Sequence, residues 1–280
     1  MAQFSRDCLT GRFRLHSSLP RSLIPTSPSP TLVFTRYRPL LALRSAVFTQ
    51  SRHVASTPLP EISLLSPQRI VLNTLKNVKH DKWGFVIYRC TYQCDEAWDR
   101  FKQIVLGRTH EEMQESDAPE VADKLEWTFV EDRAALDGAS RAQLRKRFNQ
   151  WAAQAIVTEQ PRAQAQTQAQ ETPTLGIPRY SYFIQIDEET LQSVLTAPTN
   201  DPCGKGFVNF VDARWKPLGD RYPDNDDERY DPIDGCTEEN VGWMRIATMM
   251  IDTEWYDAAV DFAGGGWHVY YLRPPQVVLY

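Results

Sequence analysis

The segment 81–98, DKWGFVIYRCTYQCDEAW, places one arginine among apolar residues, where it could bind an anion. The guanidinium of Arg89 is suited to gripping a carboxylate or a phosphate. The alternative is a structural ion pair with an acid of the same chain, such as Glu131 or Asp132. Partly buried arginines are usually satisfied within the protein. The sequence therefore favours a structural pair and keeps Arg89 as a candidate binding residue.

Cys90 and Cys94 follow at once and raise the question of a metal site. A closed zinc site needs four ligands, and neither Cys203 nor Cys236 stands at ligand spacing from another cysteine. Strand alternation puts Cys90 on the same face as Val86, which is typical of a small core residue. The sequence predicts no metal site and no cofactor.

The segment EDRAALDGAS, which begins at Glu131, joins a predicted strand to a predicted helix. Connections of this kind often carry functional groups. As a site, Glu131 would be a candidate general base, and Asp132 and Arg133 would be candidate binding residues, with Arg133 as an anion clamp. No histidine or nucleophile lies nearby in the sequence, so we favour a local salt-bridge cluster, with Asp137 or Ser140 capping the helix.

His268 is the only histidine in the second half of the chain, and it follows the glycine turn of GGGWHVYY. Alternation with Trp267 in a predicted strand would send one of the two side chains into the core and the other to a surface or cleft. A lone strand histidine is usually structural, but His268 is the best candidate general base. Trp243 is a candidate binding residue, because aromatic side chains are enriched at binding surfaces.

The acidic loop Gly219–Asn240 does not have the calcium-binding order of an EF-hand. Counted from Asp224, the sixth position is Arg229 and the twelfth is Gly235, where the motif needs glycine and glutamate. A solvated loop is the better interpretation. The chain also lacks the nucleophile elbow, the Walker loop, the dinucleotide fingerprint, the zincin motif and the kinase motifs.

Charge divides the chain at about residue 60. Residues 1–60 hold eight arginines, no lysine and one acid, so this segment is +7 and residues 61–280 are −12 within a total of −5. A basic leader rich in serine and arginine is typical of a mitochondrial transit peptide, and a disordered tail of a cytoplasmic protein is the alternative. The acidic body disfavours nucleic acid as a partner. Charged residues interrupt every apolar run, so no membrane span is predicted.

These residues must be positioned by an α+β fold. The predicted strands are Gly84–Tyr92, Leu125–Val130, Arg179–Ile186, Phe207–Ala213, Trp243–Met250 and Trp267–Leu272. Helices are predicted after Pro67, from Asp95, near Ser140, at Glu188–Leu195 and at Thr253–Phe262, with a loop at Glu111–Asp123. Asp95 and Asp252 are predicted helix caps, and Trp98, Phe101 and Val105 are spaced to form one apolar face of the helix that follows Asp95. We expect a mixed, largely antiparallel sheet covered by helices.

The domain organisation follows from composition. Residues 61–157 form a first α+β half, 158–178 a linker or loop rich in Gln and Ala, and 179–280 a second half. The element order of the second half, β-α-β-β-α-β, predicts a ferredoxin-like unit. The two halves form either one domain with one sheet or two neighbouring sheets.

Several stretches of the body resemble a group of fungal proteins with no assigned activity. The resembling stretches are WGFVIYRCTY with DEAWDRF, EDRAALDGAS with RKRFNQW, PRYSYFIQID, and VGWM with the closing YLRPP. The resemblance implies a fungal source and a single fold unit across the linker, and it implies no reaction.

Two functional hypotheses follow. The first is a non-catalytic binding or protein-interaction module, because no complete catalytic constellation is present. The second is an enzyme acting on a small anionic organic substrate, with Arg89, Glu131, Arg133 and His268 in one cleft. The partner is accordingly a protein or a small molecule.

Overall fold

Six strands form one mixed sheet in the computed structural model, which describes residues 65–160, 177–197, 206–218 and 230–279. The strand order is β2-β1-β3-β4-β5-β6. The bounds are β1 Val86–Arg89, β2 Thr128–Val130, β3 Tyr182–Ile186, β4 Phe207–Asp212, β5 Trp243–Ala247 and β6 Val277–Val278. Strands from both halves of the sequence therefore share one sheet.

Pairing within the sheet changes from the edges to the middle. The strand β1 is parallel to both β2 and β3, and β5 is parallel to β6. The middle pairings, β3 with β4 and β4 with β5, are antiparallel. The predicted α+β class with a mixed sheet is thus confirmed, and the antiparallel pairing is confined to the middle of the sheet.

Helices cover both faces of the sheet. Their bounds are α1 Pro67–Val78, α2 Asp95–Gln114, α3 Arg133–Leu136, α4 Arg141–Glu159, α5 Glu188–Thr196, α6 Thr253–Val260 and α7 Trp267–Tyr270. One apolar core joins α1, α2, α5, α6 and α7 to one face, and a second joins α3 and α4 to the other. Alternate side chains along β1 point to opposite faces of the sheet. Ile87 therefore belongs to the first core, while Val86 and Cys90 belong to the second. The predicted core position of Cys90 is therefore confirmed.

The helix α2 departs from the sequence prediction at both ends. Its N-cap residue is Cys94, and the predicted cap Asp95 is the first helical residue. Its far end runs to Gln114, and a 3₁₀ helix follows at Pro119–Lys124, so the predicted loop Glu111–Asp123 is wrong. The buried side chains of Met113 and Val121 supply the reason, because both reach the first core from a segment that is otherwise polar.

The second half keeps its predicted order of elements but places the last strand differently. Residues Trp267–Tyr270 form the short helix α7, so the predicted strand Trp267–Leu272 is wrong, and the last strand is β6. In a ferredoxin-like unit, two strands joined by a helix run parallel to each other, and a third strand lies between them. Here β3 and β4 are direct antiparallel neighbours, so the ferredoxin-like arrangement is not confirmed.

The start of α4 follows directly from local sequence. Ser140 is the N-cap, its hydroxyl accepts the backbone N–H of Gln143, and the Gln143 side chain accepts the backbone N–H of Ser140. This capping box satisfies two N–H groups that the first helical turn leaves unpaired. Of the two predicted caps, Ser140 is therefore the correct one.

Ser140→Ala is expected to lower the free energy of unfolding by about 1 kcal/mol, because it removes the cap of a helix that packs on one face of the sheet. Urea unfolding followed by circular dichroism measures this change. Ser140→Asp is the matched control and should retain most of the stability, since aspartate is an equally good cap. An alanine variant as stable as the parent protein would contradict this role.

Several predictions concern residues outside the described ranges. They are the basic leader 1–60 with its mitochondrial targeting, most of the linker 158–178, Cys203, and residues 219–229 of the acidic loop. For the described residues, no helix combines the length and the apolar character needed to cross a bilayer.

Candidate functional site

The carboxyl ends of β1 and β2 lie side by side, because the two strands are parallel neighbours. The chain leaves β1 through α2, on one face of the sheet, and leaves β2 through α3 and α4, on the other face. Adjacent strands whose connections diverge in this way form a topological switch point, where open sheets of this kind bind ligands. The sheet topology thus makes the charged residues that follow Tyr88 and Val130 candidates for a ligand-binding site.

Arg89 ends β1 at this point, and its side chain is only 5% exposed. Its Nε donates to the carbonyl of Thr91 at 2.9 Å, its Nη1 to Glu131 Oε2 at 3.1 Å, and its Nη2 to Asp95 Oδ1 at 2.5 Å. Burial alone would lower the pKa of Arg89, but the bonds from Asp95 and Glu131 outweigh burial and raise it. The predicted structural pair between Arg89 and Glu131 is therefore confirmed.

Two aromatic rings fix the position of this guanidinium. Its carbon lies 4.3 Å from the ring centroid of Tyr92 and 5.5 Å from that of Trp98. The Tyr92 hydroxyl accepts the backbone N–H of Asp132 at 2.7 Å, which ties the end of β1 to the end of β2. Cation–π contact and direct hydrogen bonds together leave Arg89 little freedom to move.

Glu131 is held in its ionised form. Lys102 Nζ lies 3.2 Å from its Oε1, and Arg89 occupies the other oxygen. Burial works to raise the pKa of Glu131, but the nearby donors Trp98, Lys102 and Arg89 outweigh it and lower the pKa. A carboxylate with a lowered pKa is a weak proton acceptor at neutral pH. This environment argues against Glu131 as a general base.

Asp132 and Arg133 have separate roles. Asp132 caps α3 by accepting the backbone N–H of Ala135, and it pairs with Arg147 at 3.2 Å. Arg133 is exposed, and no described residue forms an ion pair with it. The predicted cluster of three neighbouring charges is thus replaced by longer-range pairs.

Seven charged side chains linked by ion pairs at this edge of the sheet form a switch-point cluster: Arg89, Asp95, Asp99, Lys102, Glu131, Asp132 and Arg147. Comparison of the chain with protein-family models, with curated proteins and with solved structures finds no match.

His268 does not join the switch-point cluster. It lies on α7, its side chain is exposed, and no described residue makes a hydrogen bond or ion pair with its imidazole. The alternation of the segment suggested a strand because Trp267 is apolar and His268 is polar. In the structure only Trp267 is buried, where its ring stacks on Tyr182 with centroids 6.0 Å apart. A single buried side chain per turn is compatible with a short helix.

Trp243 also lies away from the switch-point cluster. It is a buried residue of β5, and the guanidinium carbon of Arg141 stands 3.5 Å from its ring centroid. It is separated from Arg89, which ends β1, because β3 and β4 lie between β1 and β5 in the sheet. The six candidate residues are therefore divided among three places.

The buried thiol of Cys90 is not an activated nucleophile. Burial, with a smaller contribution from Asp187, raises the pKa of the Cys90 thiol to about 12. Cys94 is half-buried, and its Sγ lies 3.3 Å from Glu96 Oε2. No group of His, Cys, Asp and Glu side chains among the described residues is arranged to hold a metal ion.

Four members of the switch-point cluster, Asp95, Asp99, Lys102 and Arg147, and the aromatic partner Tyr92 were not among the candidate site residues. Asp95 was interpreted as a helix cap, while Tyr92, Asp99 and Lys102 were not singled out. The i,i+3 spacing of Asp99 and Lys102 on a predicted helix was a usable signal for that pair, which the structure shows at 3.0 Å. Nothing local in the sequence indicated that Lys102 would also contact Glu131.

Proposed function

We propose that this protein is a non-catalytic interaction module that binds a basic polypeptide segment over the switch-point cluster. The supporting observation is the exposure of the side chains in its ion pairs. In each pair the carboxylate is more exposed than the cation. Asp95 is 80% exposed against 5% for Arg89, and Asp99 is 64% exposed against 28% for Lys102. Among the paired side chains of the cluster, the more exposed groups are therefore carboxylates.

The charge of the whole body points the same way. Residues 61–280 carry a formal charge of −12, which attracts cationic partners over distances of about a Debye length and repels phosphate backbones. Charge complementarity of this kind contributes to the association rate and to partner choice more than to raw affinity. An arginine-rich or lysine-rich segment matches both the local and the overall charge.

The enzyme hypothesis has less support. It needs an acceptor for a proton near Arg89, but the pKa of Glu131 is lowered and Cys90 is buried with a pKa of about 12. His268, the predicted base, is exposed on α7 and shares no described contact with Arg89 or Glu131. An interaction module requires none of these groups to exchange a proton.

The double substitution Glu96→Gln and Asp99→Asn is expected to weaken binding of a labelled arginine–alanine repeat peptide about threefold to tenfold at low salt. Asp99 belongs to the switch-point cluster, and Glu96 lies beside the cluster at the exposed start of α2. The contacts of Arg89 with Asp95 and Glu131 stay intact in this variant. Fluorescence anisotropy with the full-length chain, at several salt concentrations, measures the affinity and its salt dependence.

The matched control is Glu254→Gln with Asp261→Asn, which removes the same charge from exposed positions at α6. It should bind like the parent protein apart from a small long-range effect. Equal weakening in both double variants would mean that only net charge matters and would overturn the assignment to the switch-point cluster. Turnover of a small anionic substrate that depends on His268 would instead favour the enzyme hypothesis.

The cellular setting is part of the same proposal. The arginine-rich and serine-rich composition of residues 1–60 supports import into mitochondria, and the resemblance of the body to fungal proteins supports a fungal source.

A further inference from the structure

A second group of polar side chains lies on the sheet face that α4 covers. Gln185, Asn209 and Arg245 stand side by side on β3, β4 and β5, because the register pairs Gln185 with Asn209 and Asn209 with Arg245. Phe183 and Trp243, two residues away along their strands, belong to the apolar core under α4, so strand alternation places the row on this same face. Cross-strand neighbours of this kind have Cβ atoms about 5 Å apart.

Arg141, the first residue of α4, closes one side of this row. Its guanidinium stacks on Trp243, its Nη1 lies 2.9 Å from Asp234 Oδ2, and its Nη2 lies 3.8 Å from Asp187 Oδ2. Asp187 in turn accepts the side-chain N–H of Asn209 at 2.9 Å. Arg141 is therefore held next to the amide of Asn209 through one shared carboxylate.

Arg245 closes the other side. Its guanidinium carbon lies 4.4 Å from the ring centroid of Phe207, and its Nη2 lies 2.6 Å from Glu189 Oε2. The carboxylates that hold the two arginines are exposed, Asp234 by 51% and Glu189 by 63%. Exposed ion pairs contribute little to stability, so either carboxylate is readily exchanged for another anion.

The two amides have fixed directions and unused carbonyl oxygens. Gln185 donates through Nε2 to the carbonyl of Ala139 at 3.3 Å, and Asn209 donates through Nδ2 to Asp187. Their carbonyl oxygens are buried and have no hydrogen-bond partner in the described part of the chain. Gln185 is 4% exposed and Asn209 is 1% exposed.

Three hydrogen-bond donors near this row are also buried and unpaired. The Nε atoms of Arg141 and Arg245 and the indole N–H of Trp243 are buried without a hydrogen-bond partner within the described ranges. Buried polar groups in native proteins are nearly always paired, and leaving one unpaired is costly. Five of the eleven such atoms in the described ranges lie around this one stretch of sheet, and this concentration points to a ligand that pairs with them.

The mixture of donors and acceptors restricts what that ligand is. A simple anion would pair with the arginines but would set its negative charge against the carbonyl oxygens of Gln185 and Asn209. A cation would suit the carbonyl oxygens but would be repelled by the two guanidinium groups. A small zwitterion satisfies both, with a carboxylate on the arginines and an ammonium on the carbonyl oxygens.

We infer that this face binds a free α-amino acid between Arg141 and Arg245. The carboxylate of the ligand accepts from the unpaired Nε atoms of the two arginines and takes the place of Asp234 and Glu189 on their Nη atoms, and its ammonium group donates to the carbonyl oxygens of Gln185 and Asn209. Because the unpaired atoms are covered in this structure, the two arginine side chains must swing outward to admit the ligand. This site is separate from the switch-point cluster and does not depend on the binding of a basic segment.

The test is a thermal-shift screen of the full-length chain with each standard L-amino acid, followed by isothermal titration calorimetry of any that stabilises it. We expect at least one to bind, and its methyl ester and its deaminated carboxylic acid not to bind. Arg245→Met and, separately, Arg141→Met should weaken that binding about tenfold or more, because each loses a charge-assisted contact. Two variants are used so that one that fails to fold does not decide the matter.

Arg147→Met is the matched control, since it removes an arginine from the switch-point cluster and should bind the amino acid like the parent protein. Absence of binding by every amino acid would overturn the inference. Equal binding of the deaminated acid would overturn it as well, because a site for anions alone would remain. Unchanged affinity in folded Arg245→Met and Arg141→Met proteins would show that the amino acid binds elsewhere.

Discussion

Arg179→Met is expected to lower the free energy of unfolding by about 3–5 kcal/mol, because it leaves the carboxylate of Glu159 without its buried partner. The Arg179 side chain is fully buried, and its Nε and Nη2 donate to the two oxygens of Glu159 at 2.7 and 2.9 Å. The same guanidinium donates to the carbonyl of Glu126 at 2.7 Å and to Thr128 Oγ1 at 3.0 Å. Chemical denaturation measures the loss.

The position of this pair explains the size of the expected effect. Glu159 ends α4, Arg179 lies just before β3, and the hydroxyl of Tyr180 also donates to Glu159 at 2.8 Å. Burial works to raise the pKa of Glu159, but Arg179 and Tyr180 outweigh it and lower the pKa. The network therefore holds the first and second halves of the sequence together through one ionised carboxylate.

Two controls separate the buried pair from charge in general. Arg147→Met removes an arginine from a pair whose members are 41% and 44% exposed, and it should cost less than about 1 kcal/mol. Adding Glu159→Gln to Arg179→Met should recover part of the loss, because no buried charge is then left unpaired. A single Arg179→Met variant as stable as Arg147→Met would contradict the role given to this network.

The second large effect is a loss of stability on mild acidification, caused by His80. Burial lowers the pKa of His80 from 6.5 to about 4 in the folded protein, against a smaller opposing effect of Asp81. Between these values the unfolded chain binds a proton that the folded protein does not bind. Stability is therefore unaffected by His80 above pH 6.5 and falls by about 3 kcal/mol as the pH drops to 4.

The measurement is the free energy of unfolding at a series of pH values in that window. His80→Phe should flatten the dependence, because the ring no longer titrates while an aromatic side chain still meets Tyr180, whose centroid lies 6.1 Å away. Replacing the exposed His110 with phenylalanine is the control and should leave the profile as in the parent protein. An unchanged slope in His80→Phe would assign the acid sensitivity to other groups.

The two proposed binding surfaces are tested by variants that do not overlap. Glu96 and Asp99 lie at the start of α2, beside the carboxyl ends of β1 and β2. Arg141 and Arg245 lie on the opposite sheet face, over β4 and β5. Failure of the basic-peptide experiment therefore leaves the amino-acid proposal standing, and the reverse also holds.

Local patterns in the sequence determined much of the secondary structure. The apolar spacing of Trp98, Phe101 and Val105 predicted the buried face of α2, and Ser140 and Asp252 predicted the starts of α4 and α6. These features depend on helical periodicity and on capping by nearby side chains, so they need no knowledge of distant residues. Of the two acids suggested as partners of Arg89, Glu131 is confirmed, whereas its second partner Asp95 was not predicted.

Only the tertiary structure decided the order of the strands and the composition of both sites. The parallel pairing of β1 with β2 brings Glu131 to Arg89, and Glu131 in turn contacts Lys102 of α2. The sequence also could not show that Trp267–Tyr270 is helical, because an alternating pattern of four residues fits a strand and equally fits a short helix with one buried side chain. Strand register joins residues far apart in the chain, and short-range periodicity carries no information about which strands will be neighbours.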